Sequence, residues 1–140
     1  MDNRMYVEFD SISSNESLAR VMAAAFLTKL DPTLEEVDDV KTAVSEAVTN
    51  AIIHGYENGE GTVSMECLIH NNEFTVIVSD KGVGIEDIEK AKEPLYTTRE
   101  EEERSGMGFS FMEIFMDSLL VESEPFKGTK VTMKKKIGRL

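Results

Sequence analysis

Glu46, Asn50 and His54 fall four residues apart in the stretch Glu46-Ala47-Val48-Thr49-Asn50-Ala51-Ile52-Ile53-His54-Gly55. On a helix that spacing stacks three polar side chains along one flank. A carboxylate and a carboxamide one turn apart offer hard oxygen ligands for Mg²⁺, or a general base beside a metal ligand. A polar helix shoulder with incidental hydrogen bonds shows the same pattern, so this stretch alone does not decide between them.

Two glycine-bearing segments add to it. Val76-Ile77-Val78-Ser79-Asp80 reads as a buried strand, and Lys81-Gly82-Val83-Gly84-Ile85 follows it. Glycine there permits positive φ and close approach of a ligand or another backbone. A carboxylate at the strand end could accept a hydrogen bond from an exocyclic amine such as adenine N6; a tight Asp-Lys-Gly turn explains the same residues equally well. Ser105-Gly106-Met107-Gly108-Phe109 opens a helix whose free N–H groups suit an anion. Neither segment extends to GxGxxG, because Asp87 and Phe111 stand at the third-glycine positions, and no GxxxxGK[ST] loop occurs. Rossmann and P-loop readings therefore fail, and the motifs of eukaryotic-type protein kinases are absent.

The elements that must position these residues can be read from patterning. Met5–Phe9 predicts a first strand, and Ser14 or Asn15 caps a helix to about Lys29, ended by Asp31-Pro32. Thr33 and Glu36 have capping-box spacing and open a long helix to about His54. Its stripe of Val37, Val40, Val44, Ala47, Val48 and Ala51 should lie on a sheet. Gly55, Gly59 and Gly61 end it. A hairpin follows, from Thr62 to His70 and from Glu73 to Ser79 around Asn71-Asn72. Then come a short helix near Ile85–Lys92, a polar loop over Glu93–Ser105 and a helix from Gly106 to about Phe115. Two strands, Ser118–Ser123 and Thr129–Lys135, close the chain. Helices placed between hairpins predict an α+β fold, a two-layer sandwich of a mostly antiparallel mixed sheet under one helical layer.

With 140 residues, the chain is long enough for one domain over residues 1–140 with a single core. A net charge of −12 argues against direct DNA or RNA binding, and Lys134-Lys135-Lys136 with Arg139 reads as a solvated C-terminal tail. No apolar run is long enough to span a membrane and no signal peptide opens the chain, so a cytoplasmic protein is expected. Cys67 alternates within a strand pattern and reads as a buried structural thiol. Two histidines and one cysteine, widely separated, make no zinc site.

Taken in order, these segments have a specific resemblance. Glu46 to Gly55 looks like the N box of the gyrase, Hsp90, histidine kinase and MutL ATPase superfamily. Asp80-Lys81-Gly82-Val83-Gly84 resembles its first glycine box and Gly106-Met107-Gly108-Phe109 its second, and Gly128-Thr129 falls where the family carries a strand threonine. The resemblance spans nearly the whole chain and implies the Bergerat-type ATP-binding fold. It implies that ATP or ADP binds with Mg²⁺ ligated by Asn50, that Asp80 takes adenine N6 with Thr129 nearby through water, and that Gly82 and Gly84 shape the adenine end. Glu93–Ser105 would form a lid, with Gly106, Met107 and Gly108 beside the phosphates and Arg104 and Ser105 just before them. Glu46 stands at the position of the family's general base.

Sensor histidine kinases carry a phosphoacceptor helix pair, and gyrase and MutL a transducer domain; this sequence shows neither. It is most similar to the compact bacterial anti-sigma factors that are also serine kinases. That resemblance implies a sigma factor as one partner, an anti-anti-sigma protein phosphorylated on serine as another, and a homodimer using the first strand. An ATP-gated binding module without phosphotransfer, or a detached histidine-kinase-like catalytic domain, remains as an alternative. On the first helix, Leu18, Val21, Met22 and Ala25 are expected to face the core. Glu16, Arg20, Ala23 and Leu27 are expected on the outer side, as a strip for a partner.

Overall fold

The computed structural model describes residues 2–85, 87–88, 92 and 108–138. Strand β1 (Asp2–Asp10) leads into helix α1 (Asn15–Leu27) and a three-residue 3₁₀ turn, Thr28–Leu30. Helix α2 (Leu34–Asn50) runs on into a wide π-type turn, Ala51–Gly55. The hairpin β2 (Thr62–His70) and β3 (Glu73–Asp80) follows, then helix α3 (Gly108–Phe115) and a second hairpin, β4 (Ser118–Glu124) and β5 (Gly128–Lys136).

Local chemistry accounts for several of these bounds. The Thr33 hydroxyl accepts the Glu36 N–H at 3.1 Å and the Glu36 carboxylate accepts the Thr33 N–H at 2.9 Å, so the capping box forms in full. Glu36 is buried, and its second oxygen accepts the Gly138 N–H at 3.0 Å, tying the chain's end to the start of α2. Ser14 precedes α1 but makes no side-chain cap. Asp31 adopts a left-handed conformation (φ 50°) and turns the chain out of the first helical segment.

The sheet order is β1-β2-β3-β5-β4, and every adjacent pair is antiparallel. The mixed character expected from the sequence is therefore not found among the described residues. The two hairpins enforce antiparallel neighbours directly; the crossover through α1 and α2 brings β2 back against β1, and the crossover through α3 leads to the edge strand β4, from which β5 returns between β4 and β3. One face of the sheet carries the buried residues Val63, Met65, Cys67, Ile69, Phe74, Val76, Val78, Val131 and Met133, and the helices cover it. Helix α2 lies between α1 and α3 and contributes Val40, Ala43, Val44, Ala47 and Val48 to the core. Cys67 is fully buried, and burial pushes its thiol up to about 12, as a structural cysteine requires.

Two expectations are corrected. Helix α1 buries Ala19, Ala23, Phe26 and Leu27, with Ala23 and Leu27 at 0% exposure, whereas Leu18 and Val21 are 49% and 57% exposed. The helix is apolar on several sides, and the small Ala19 and Ala23 let its backbone lie close against α2. Leu18, Val21 and Ala25 are left outside, while Met22 packs partly buried against the core as expected. Ala23 and Leu27 therefore belong to the core and cannot form a partner strip; Glu16 and Arg20 stay partly exposed as an i,i+4 ion pair at 3.4 Å. Lys134–Lys136 is likewise no tail: these residues finish β5, and Lys135 donates to the Phe115 carbonyl at 2.8 Å and pairs with Asp39 at 3.4 Å.

Candidate functional site

The apolar stripe of α2 faces the sheet, which leaves Glu46 and Asn50 half-buried on its flank. Helix α3 begins against this flank. A Cβ added at Gly108 would stand 3.0 Å from Asn50 Nδ2 and 3.2 Å from Glu46 Oε2, so all three predicted residues share one small volume. The missing side chain keeps α3 from covering the two oxygen-bearing groups.

Beyond Asn50 the backbone widens into the π-type turn, a form that recurs at functional sites. The turn delivers Gly55 to the end of β3. There Asp80 is 9% exposed, and its carboxylate accepts the Gly82 N–H at 2.9 Å and the Thr129 N–H from β5. Desolvation pushes the Asp80 carboxyl up to about 6, against these two amide bonds, which hold it down.

Glycines set how closely the backbone segments approach around Asp80. A Cβ on Gly55 would lie 2.7 Å from the Asp80 carboxylate carbon, and one on Gly82 would lie 1.8 Å from the Gly55 carbonyl oxygen. The Gly55 carbonyl accepts the Val83 N–H at 2.8 Å, which locks the turn after α2 to the loop after β3. Gly84 (φ 78°) and Gly128 (φ 94°) need the left-handed region, and a side chain on either would meet backbone oxygen at about 2 Å.

Across three neighbouring strands, Asp80, Thr129 and Ser123 stand in one register row, so their side chains share a face. The Ser123 hydroxyl lies 2.8 Å from Thr129 Oγ1, from the Gly128 carbonyl oxygen and from the Ile85 amide. Tyr56 braces the other side: its hydroxyl accepts the Lys81 N–H and donates to the Thr62 carbonyl, each at 2.7 Å.

The structure thus brings Glu46, Asn50 and Gly108 together at one end, and Asp80, Gly82, Gly84 and Thr129 at the other. The turn from Asn50 to Gly55 connects the two. Arg104, Ser105, Gly106 and Met107, the lid over Glu93–Ser105 and half of the short helix near Ile85–Lys92 lie outside the described residues. Gly55, Tyr56 and Ser123 were not singled out from sequence. Gly55 reads there as a simple helix stop, and Tyr56 and Ser123 carry no local signal because their partners come from distant strands.

Among the described residues no three His, Cys, Asp or Glu side chains cluster to cage a metal. A Mg²⁺ carried largely by phosphates and water needs only one or two protein oxygens. Asn50 and Glu46 beside the open Gly108 fit that requirement. No helix among the described residues is long and apolar enough to cross a membrane.

The model of the histidine kinase-like ATPase domain matches residues 13–135. The anti-sigma F factor of Clostridium acetobutylicum is 62% identical over 97% of this chain and 95% of its own length. That of Clostridium kluyveri is 63% identical, covering 96% and 94% of the two chains. Among solved structures, the catalytic domain of the histidine kinase ThkA superposes with a TM-score of 0.58 at 17% identity, covering 95% of this chain and 96% of that one. A blue-light activated histidine kinase of Erythrobacter litoralis gives 0.60 at 18%, over 84% of this chain and 40% of that one. At such identities the structural matches speak for the fold alone. The family match and the relatives together place the chain in the anti-sigma F factor family of histidine kinase-like ATPase domains.

Proposed function

We propose that the protein is an ATP-dependent protein-serine kinase that also holds a sporulation sigma factor away from core RNA polymerase, its kinase substrate being a serine on an anti-anti-sigma protein. The observation that carries the kinase reading is Glu46 beside Asn50 under the start of α3, one helical turn from each other and connected through Gly55 to a buried carboxylate. A pocket that only gated binding would not require a carboxylate at that point. The relatives' name, anti-sigma F factor, supports the sigma-factor partner.

In this reading Asp80 accepts the adenine amine, with Thr129 beside it, and the nucleotide extends along the Asn50–Gly55 turn toward Gly108. Asn50 would hold Mg²⁺, which when bound neutralises charge on the phosphoryl oxygens. Glu46 orients the incoming seryl hydroxyl and takes its proton as the oxygen attacks. The amides that begin α3 stabilise the charge on the transferring group. The apolar packing of α2 holds Glu46 and Asn50 on one flank, so their spacing is set before the nucleotide arrives.

The partner surfaces belong to the same reading. Among the described residues strand β1 is an edge of the sheet, paired with β2, and it serves a homodimer. The partly exposed Glu16–Arg20 pair on α1 faces a protein partner.

Transfer of labelled γ-phosphate from ATP to a candidate anti-anti-sigma protein tests the proposal. Acid-stable label on serine is the expected result. Acid-labile label would instead mark a histidine-kinase-like transfer, and no label at all would leave a nucleotide-gated binding module.

A further inference from the structure

We propose that Ser123 is a positioning residue for base selection: it fixes the Thr129 hydroxyl as a pure hydrogen-bond acceptor and so favours a purine with a 6-amino group over one with a 6-oxo group. The proposal rests on the nucleotide reading above and deepens it.

A proton count carries it. A serine hydroxyl has one proton to donate and two lone pairs to accept with. Ser123 Oγ has three partners, all at 2.8 Å. The Ile85 amide can only donate to it. The Gly128 carbonyl can only accept, so it takes the single Ser123 proton. In the third contact Ser123 must therefore accept, and the Thr129 hydroxyl must donate. The proton of Thr129 is then committed to Ser123, and only its lone pairs remain for anything that enters the site.

Thr129 sits directly opposite Asp80 in the sheet, on the same face, and its own amide donates to the Asp80 carboxylate. Above the titration of Asp80 the row offers acceptors only: a carboxylate and an oxygen whose proton is turned away. A 6-amino group, or a water that it orients, supplies donors to match. A 6-oxo group sets lone pairs against lone pairs, a mismatch of the kind that leaves buried polar atoms unsatisfied. Ser123 touches no base in this scheme. Its effect passes through Thr129.

The measurement is the ratio of dissociation constants for Mg-ATP and Mg-ITP, whose bases differ in the group at position 6 and in the N1 proton that the 6-oxo form carries, on the full chain. Ser123→Ala should let the Thr129 hydroxyl rotate and lower the preference for ATP about tenfold, about 1.4 kcal/mol. Ser123→Thr, which keeps the hydroxyl, should restore it. Thr129→Val should lose the preference as well, and adding Ser123→Ala to it should change the ratio no further. The proposal is overturned if Ser123→Ala weakens both nucleotides equally, or if its effect on the ratio adds in full to that of Thr129→Val. Should Ser123→Ala not fold, an unchanged ratio in Thr129→Val would still overturn it. Failure of the wild-type chain to bind either nucleotide would instead remove the nucleotide reading itself.

Discussion

Asp80 is held by backbone from several sides, whereas Glu46 and Asn50 are held by the flank of a single helix. At the Asp80 end, four glycines, Gly55, Gly82, Gly84 and Gly128, let chain segments meet at distances no side chain would permit. Amides from Gly82 and Thr129 clamp the carboxylate there. At the other end Gly108 faces the tips of flexible side chains, which can yield. The first arrangement suits recognition, which needs donors and acceptors fixed in advance. The second suits chemistry, where groups must accommodate a substrate hydroxyl and moving charge.

Equivalent substitutions at the two ends should therefore differ in cost. Gly55→Ala places a Cβ 2.7 Å from the buried Asp80 carboxylate, a short side chain that cannot retreat without giving up the amide bonds that hold it. A loss of about 3 kcal/mol or more in stability is expected, with adenine-nucleotide affinity reduced by roughly a hundredfold. Denaturant unfolding and calorimetry measure the two effects, and a nearly neutral result would mean that Gly55 does not constrain Asp80.

The raised pKa of Asp80 gives the next effect. The folded carboxyl titrates near 6 against an ordinary value of 3.8, so between these pH values the folded state binds more protons than the unfolded one. Stability from this group is greatest below about pH 4, falls as pH rises towards 6 and then levels off. The decline amounts to about 2–3 kcal/mol over that window, at 1.36 kcal/mol per pH unit. Comparing urea unfolding of wild type and Asp80→Asn across the window should show this slope in the wild type only.

Asp80→Asn also replaces an ionised acceptor with an amide that holds one acceptor oxygen instead of two. Affinity for ADP at pH 7.5 should fall about tenfold, and unchanged affinity by calorimetry would remove Asp80 from the base contact. The smallest effect is expected at the open end. Gly108→Ala should leave stability within about 1 kcal/mol, because alanine favours the helix while crowding only side-chain tips. A large destabilisation there would erase the distinction between the two ends.

How far the molecule could be read in advance follows the range of its interactions. The capping box at Thr33 and Glu36, the α2 stripe and both hairpins are local features and appear in the structure nearly where the spacing puts them. The facing of α1 is not local. Its run Leu18 to Leu27 supports two apolar stripes, and contact with α2 selects the one containing Ala19 and Ala23. The Glu46–Asn50 pair and the Asp80 loop were visible as separate fragments. Their connection through the Gly55 carbonyl was not, because a glycine that ends a helix looks the same whether or not another loop docks against it. Ser123 was hidden for a similar reason: its role exists only across three strands.

The division between a recognising end and a reacting end rests most heavily on Glu46. Glu46→Gln keeps the shape of the site and removes the base, so the direct measurement pairs its ATP affinity by calorimetry with its rate of γ-phosphate transfer to serine. The affinity should remain within about twofold of wild type while transfer falls by about 10²–10⁴-fold. Transfer at the wild-type rate would contradict the role assigned to Glu46 and with it the division itself.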